Sequence, residues 1–380
     1  MKTHAKVALA SSAAAAVALG LLMLRPLEVL QYGFWAFLLA ATVGIGGTAV
    51  ALVSLGILAY RSGRRRMLAG YLVGLALAGM VIAGAVAIQH ARRADEYQVI
   101  SVGGVERQYR IYVPSYYNGS SKVPLLLALH GALGSAQQFE SESGFDAVAE
   151  RYGFIVAYPD GLGRLKYSLH FWNSGYINAG LKGGADDVGF LTALVEQVES
   201  DYEIDASRVY IAGHSNGGMM AYRMAAERPE LFAAAAPVSA SIGGYEAGGE
   251  PYQIPEPDSP VSIVHVHGYL DRSVLYAGGE TQSGADRGRI DLPVSESIAF
   301  WVAQDGCPLP PSSESSANGW IVLTKYAGGE GGAEVSLVTL MRQDHFWSNM
   351  DSEVASEQFH GGSLAEMLWN LVKAYSSASK

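Results

Sequence analysis

The sequence predicts a chain of the α/β class: a mostly parallel sheet flanked by helices, preceded by an apolar N-terminal helical region. Three observations carry that reading. Short apolar runs, such as Val123-Pro124-Leu125-Leu126-Leu127-Ala128-Leu129 and Ser262-Ile263-Val264-His265-Val266-His267-Gly268, have the length and composition of buried strands. A third strand-like run, Arg208-Val209-Tyr210-Ile211-Ala212, passes through Gly213-His214-Ser215-Asn216-Gly217 directly into a helix-like run from Gly218 to Met224. Residues 1–93 differ in kind, with three long apolar stretches and a single acidic residue, Glu28, before residue 90.

A G-x-S-x-G pentapeptide alone is a weak signal in a chain with 45 glycines. The strand before it and the helix after it give it meaning. A strand that turns sharply into a helix lifts the Ser215 hydroxyl above the sheet and turns the N–H of Asn216 toward the same space. Gly213 and Gly217 let the two backbones pass where a Cβ would clash. This is the nucleophile elbow of the α/β-hydrolase fold, and it marks Ser215 as the candidate nucleophile.

In that fold the partners follow in the order serine, acid, histidine. His345 and His360 are the two histidines downstream of a candidate acid. His345 opens a loop after the strand-like stretch 333–341, where a general base must hang to reach a serine. His360 precedes Gly361-Gly362 and a terminal helix, which suits a loop or cap residue. The acid should end an earlier strand. Asp271 closely follows the 262–268 run and would hold the His345 imidazole in the required tautomer. Asp258, Asp286 and Asp291 have less strand-like surroundings, and Asp344 would have to fold back on its neighbour. A second oxyanion donor is expected in the loop after 123–129, His130-Gly131-Ala132-Leu133-Gly134. The candidate N–H is that of Ala132, with Leu133 as the fallback, acting beside that of Asn216. His130 and His214 are expected to be structural hydrogen-bonders of the loop and the elbow.

An ordered set of segments now stands out. It runs Arg110-Ile111-Tyr112-Val113-Pro114, Leu129-His130-Gly131, Phe154-Ile155-Val156-Ala157-Tyr158-Pro159-Asp160-Gly161 and Phe171-Trp172-Asn173. It continues with Asp186-Asp187-Val188-Gly189-Phe190-Leu191, the Ser215 elbow, Val266-His267-Gly268 with Asp271, and His345-Phe346-Trp347. The set resembles the polyhydroxybutyrate depolymerase and feruloyl esterase group of α/β-hydrolases. The resemblance implies a serine esterase acting on short acyl, aromatic acyl or polyester substrates. Trp172, Phe346 and Trp347 then become candidates to line an aromatic acyl cleft, with core or rim packing as the alternative. Asp186-Asp187 stands at the start of a helix-like run from Val188 to Tyr202, which suits an N-cap, with a substrate-side role for Asp187 as the alternative. Members of the group often pair a cysteine near position 307. Here Cys307 is the only cysteine, so a buried free thiol is expected.

The apolar stretches run roughly 7–24, 34–60 and 67–89, each near or above the length that crosses a bilayer. The first, with Lys2 and Lys6 at its start, also suits a signal peptide. Arg61, Arg64, Arg65 and Arg66 place the loop between the second and third in the cytoplasm, on the same side as the N-terminus. Arg92 and Arg93 pull weakly the other way. The chain after residue 93 is therefore expected outside the cytoplasm, tethered to the lipid bilayer. No acidic or histidine residue lies well inside a stretch, which points to an anchor rather than a transport path.

Residues 94–380 suit one α/β-hydrolase catalytic domain. They carry the acidic excess behind the net charge of −10, which disfavours nucleic acid as a partner and fits a neutral ester. There is no Walker A loop and no Cys/His metal spacing, and the chemistry expected of Ser215, Asp271 and His345 needs no cofactor. The competing readings are a serine peptidase or envelope acyltransferase on the same fold and, in another class, a non-catalytic membrane scaffold or sensor. The complete Ser215–Asp271–His345 set counts against the last.

Overall fold

The computed structural model describes residues 97–165, 168–175, 185–245, 249–281 and 288–377. The three apolar stretches expected to cross the membrane lie outside them, as does Asp286. Among the described residues no helix is long and apolar enough to cross a membrane.

Ten strands build one mixed sheet. Numbered in chain order they are β1 (Gln98–Val102), β2 (Val105–Tyr112), β3 (Val123–Leu129), β4 (Ile155–Pro159) and β5 (Ile204–His214). They continue with β6 (Ala234–Val238), β7 (Ser262–Gly268), β8 (Ser312–Ser315), β9 (Ile321–Tyr326) and β10 (Val335–Leu340). Across the sheet the order is β1-β2-β4-β3-β5-β6-β7-β10-β9-β8. The run from β4 to β10 is parallel throughout. Antiparallel pairs extend it at both edges. This is an α/β-hydrolase-like fold, a large mixed sheet flanked by helices.

The parallel strands read as unbroken apolar runs because both of their faces are covered. Leu125, Leu127 and Leu129 of β3 enter one core, while Leu126 and Ala128 enter the other. The first core takes residues of α3 (Asp187–Asp201), α4 (Asn216–Glu227) and α5 (Val294–Gln304). The second takes residues of α1 (Ala136–Ser143), α2 (Phe145–Tyr152), α6 (Trp347–Glu357) and α7 (Leu364–Val372). There Trp369 of α7 stacks on Phe154 with ring centroids 3.7 Å apart. The chain leaves β3 for β4 on one side, and later enters β5 on the other side of β3. The loops after β3 and β5 therefore part at a crevice on the carboxyl edge of the sheet, the place where such sheets hold their ligands.

The start of α3 corrects one expectation. Asp186 is the cap, its carboxylate accepting the N–H of Gly189 at 2.8 Å. Asp187 does not cap the helix. It is fully buried, with Oδ1 2.5 Å from Arg107 Nη2 and Oδ2 accepting the N–H of Asn173 at 2.7 Å. The Arg107 guanidinium also lies 4.0 Å over the Phe190 ring. Cys307 is a buried free thiol in contact with the carbonyl of Ala333.

Two outcomes follow. Asp187→Ala strands the buried Arg107 charge and should lower unfolding free energy by about 3–5 kcal/mol in urea titration. Asp305, buried at the end of α5 beside the start of β7, is pushed up to about 7 by desolvation, against a hydrogen bond from the N–H of Val261. Its charged form is the disfavoured one in the fold. Its contribution is therefore fully favourable only below the unfolded carboxylate range and is lost as pH rises to about 7. Asp305→Asn cannot ionise, so its melting temperature should gain on wild type by a few degrees between pH 5 and pH 8, read by thermal denaturation at each pH.

Candidate active site

Three side chains converge above the carboxyl edge of the sheet. Ser215 sits between β5 and α4 with φ 54° and ψ −120°, a strained conformation for a residue with a Cβ. Its flanking glycines are required by close approach. A Cβ on Gly213 would lie 2.3 Å from the carbonyl oxygen of Gly217, and one on Gly217 would lie 2.4 Å from that of His130. His345 hangs in the loop between β10 and α6, and Asp271 in the turn after β7. These two strands are direct neighbours in the sheet, so base and acid start side by side. His345 Nε2 is 2.9 Å from Ser215 Oγ, and His345 Nδ1 is 2.7 Å from Asp271 Oδ2. Asp271 Oδ1 accepts the N–H groups of Ser273 and Val274 at 2.7 and 2.9 Å.

The electrostatics keep the roles distinct. Burial alone would raise the pKa of Asp271. Hydrogen bonds from His267 and His345 outweigh it and hold the carboxyl far below the usual range, so Asp271 is an anion at neutral pH. His214 is pushed down to about 3 by burial and by its neighbour His345, so it is neutral. Its Nε2–H donates to the carbonyl of His345 at 2.7 Å, which anchors the backbone of the base from the elbow itself. His360 is elsewhere, on the surface, with Nε2 2.5 Å from Glu314 Oε1.

The 130–134 loop lies against the elbow. A Cβ on Gly131 would meet His214 Nδ1 at 3.3 Å and Ser215 Cβ at 3.6 Å. The N–H of Asn216, first in α4, has no partner within its helix. Among the described residues no acceptor takes the N–H of Ala132 or of Asn216. The fallback donor is spent, because the N–H of Leu133 donates to the carbonyl of His170 at 2.8 Å. Ala132 and Asn216 thus present open backbone donors on the two segments that border Ser215.

Two tryptophans expected near a cleft turn out to be struts. Trp172 is fully buried, and its indole N–H donates to the carbonyl of His130 at 2.9 Å. Its backbone pairs twice with the side chain of Asn216, at 2.7 and 3.0 Å. Trp347 is 5% exposed, packed against Phe139, Phe145 and His214. A large aromatic near a nucleophile gains more from burial than from facing water. Phe346 is the exposed one of the group, at 62%.

Sequence reasoning pointed to His130 as a structural hydrogen-bonder of the 130–134 loop but missed Asp160 and His170 beneath it. His130, Asp160 and His170 form the group among the described residues whose ligand-type atoms lie within 4.8 Å of one another. Hydrogen bonds already occupy this group. His130 Nδ1–H donates to the carbonyl of Gly131 at 2.7 Å, and its Nε2 accepts the N–H of Gly161 at 3.0 Å. Burial pushes His130 down to about 4, consistent with that neutral tautomer. Asp160 Oδ1 accepts the N–H of Ala136 at 2.6 Å and lies 3.0 Å from His170 Nδ1. The cluster ties the loop to the end of β4 and to the ribbon Leu162–Leu165 and Ser168–Phe171. The Asp160-Gly161 turn directly after a buried strand was the available signal.

Residues 107–248 match the model of the esterase PHB depolymerase family. The chain is 29% identical over 240 residues to feruloyl esterase B of Piromyces equi, covering 63% of this chain and 42% of that protein. It is 38% identical over 125 residues to a probable acetylxylan esterase A of Aspergillus fumigatus, covering 33% of this chain and 32% of that protein. A probable feruloyl esterase C of Aspergillus niger is 26% identical, covering 63% of this chain and 82% of that protein. The match to the first two spans less than half of their lengths. Among solved structures, an acetyl xylan esterase from Aspergillus awamori aligns with 20% identity and a TM-score of 0.47, over 66% of this chain and 93% of that one.

An alkyl fluorophosphonate reports whether Ser215 is activated. It should label the wild-type chain at Ser215 and leave Ser215→Ala unlabelled. Asp271→Asn should slow labelling by ~1000-fold or more, because the imidazole loses its orienting anion. Intact-protein mass spectrometry against time reads all three.

Proposed function

We propose that the chain is a membrane-tethered serine carboxylesterase whose catalytic domain lies outside the cytoplasm. The single observation that carries the chemistry is the unbroken line from Ser215 Oγ to His345 Nε2, 2.9 Å, and from His345 Nδ1 to Asp271 Oδ2, 2.7 Å. Ser215 Oγ attacks the ester carbonyl while His345 Nε2 takes its proton. The tetrahedral oxyanion is held by the N–H groups of Ala132 and Asn216. The imidazolium, stabilised by Asp271, gives its proton to the leaving alcohol, and an acyl group remains on Ser215. Water, deprotonated by His345, then releases the acid and restores the serine.

Two observations support a substrate class. Leu133, Leu270 and Phe346 are exposed apolar residues, each one position from a residue of the site. Such a rim favours an ester with a short acyl or aromatic acyl part, including hydroxyalkanoate oligomers and feruloyl esters. The names of the relatives, feruloyl and acetylxylan esterases, point the same way. The tether rests on the three apolar stretches of the N-terminal region and on the arginines between the second and third. A tethered enzyme meets soluble esters and oligomers more readily than large insoluble granules.

Full-length chain in detergent should hydrolyse p-nitrophenyl acetate, p-nitrophenyl butyrate or methyl ferulate. Ser215→Ala should lose ~10⁴-fold or more in kcat. A folded chain inactive on all three overturns the esterase reading. Resistance of the chain to alkaline extraction from membranes, with the catalytic domain cut by protease added outside intact spheroplasts, is the expected topology. Release by alkali, or protection of the domain, overturns it.

A further inference from the structure

Behind the Ser215–His345–Asp271 line, β7 carries two imidazoles with no part in the steps above. His265 and His267 are two residues apart on one strand, so both point to the same face of the sheet. Both are fully buried. Their contacts join end to end. Tyr222 Oη, on the helix that begins after the nucleophile, is 2.7 Å from His265 Nδ1. His265 Nε2 is 2.9 Å from His267 Nδ1. His267 Nε2 is 2.8 Å from the carbonyl oxygen of Val274 and 3.4 Å from Asp271 Oδ2. That carboxylate oxygen is the one that accepts from His345.

The proton positions follow from the far end of this chain. His267 Nε2 faces a carbonyl and a carboxylate oxygen, both acceptors, so it carries the hydrogen. With its hydrogen on Nε2, His267 accepts at Nδ1, which obliges His265 to donate from Nε2. A neutral His265 accepts at Nδ1, and the donor there is the Tyr222 hydroxyl. Burial pushes His265 well below the ordinary imidazole range and Tyr222 well above the ordinary phenol range, so both stay neutral. The opposite direction would aim a bare His267 lone pair at two acceptors at a fully buried position, at the cost of the hydrogen bond to Val274.

We propose that His267 is a positioning residue for the acid: its Nε2–H, bonded to the carbonyl of Val274 and 3.4 Å from Asp271 Oδ2, holds the turn that carries Asp271, and the Tyr222–His265 pair locks His267 in that tautomer. The inference deepens the serine esterase reading and rests on it. The helix that starts at the nucleophile thereby also steadies the acid, through a hydrogen-bond chain that no single loop supplies. The titratable groups facing Asp271 are His345 and His267, with His214 beyond His345. Tyr276 packs edge-on to His267, and Arg289 donates to the carbonyl of Ser273 in the same turn.

Two readouts on the full-length chain test this. The first is selective ¹⁵N-histidine NMR, assigned with single substitutions, which reads tautomers whether or not the chain turns over esters. His265 and His267 should both carry hydrogen on Nε2 and none on Nδ1. Hydrogen on Nδ1 of either ring, or a cationic His267, overturns the proposal. The second is the pH profile of p-nitrophenyl ester hydrolysis. Without the His267 N–H, the Asp271–His345 pair binds a proton more readily. His267→Leu should therefore move the acidic limb of kcat/KM to higher pH and lower kcat by ~10–100-fold, with KM little changed. His267→Gln, which keeps a donor near the Nε2 position, should recover most of both. Equal losses in the two variants with an unmoved limb would sink it. Wild-type chain inactive on every ester, with the tautomers as stated, would instead sink the esterase reading.

Discussion

The crossing of β5 and α4 at Ser215 is the constraint on which the rest of the site depends. Three backbone segments meet there at van der Waals contact, with Gly213 against Gly217 and Gly217 against His130 and Leu129. None of the three can shift without the others. The nucleophile, the N–H of Asn216 and the loop bearing Ala132 are therefore one block rather than three adjustable parts. The strained backbone at Ser215 costs on the order of 1–3 kcal/mol, and it persists because the parallel sheet on both sides holds β5 in place.

Around that block, a series of buried hydrogen bonds holds the segments together. The side chain of Asn216 clamps the backbone of Trp172, and the indole of Trp172 supports the carbonyl of His130. His130 in turn joins the loop to the end of β4 through Gly161. The same logic holds on the far side of the serine. Neutral His214 bonds the carbonyl of His345, and the Asp271 anion collects N–H groups from its own turn and from His345. In a low-dielectric interior such bonds are strong and directional, and they place the reacting atoms before any substrate arrives.

The sequence singled out Ser215, Asp271 and His345, and these are the side chains that meet within hydrogen-bond distance. It also separated His345 from His360, which the structure leaves on the surface. For Trp172, Trp347 and Asp187 it left a cleft role and a structural role open, and the structure buries all three. Residue type near a nucleophile says nothing about which way a side chain points. Trp347 begins a helix and turns into the core between Phe139 and Phe145, while its neighbour Phe346 takes the exposed position. Asp187 is claimed by Arg107, 80 residues away in the chain, and the cap is its neighbour Asp186.

What the sequence determined by itself was whatever local sterics and chain order dictate. Apolar runs must be covered on both faces, paired glycines permit one tight crossing, and acid and base must follow the serine at the ends of later strands. Only the tertiary structure decided which backbone donors stay open and which are spent, as with Ala132 and Leu133, and which histidines join in a hydrogen-bond chain behind the site. Those outcomes depend on partners tens of residues distant, such as the carbonyl of His170 and the hydroxyl of Tyr222. A hydrogen bond is directional and needs both ends in place, and no periodicity in one segment carries the position of the other.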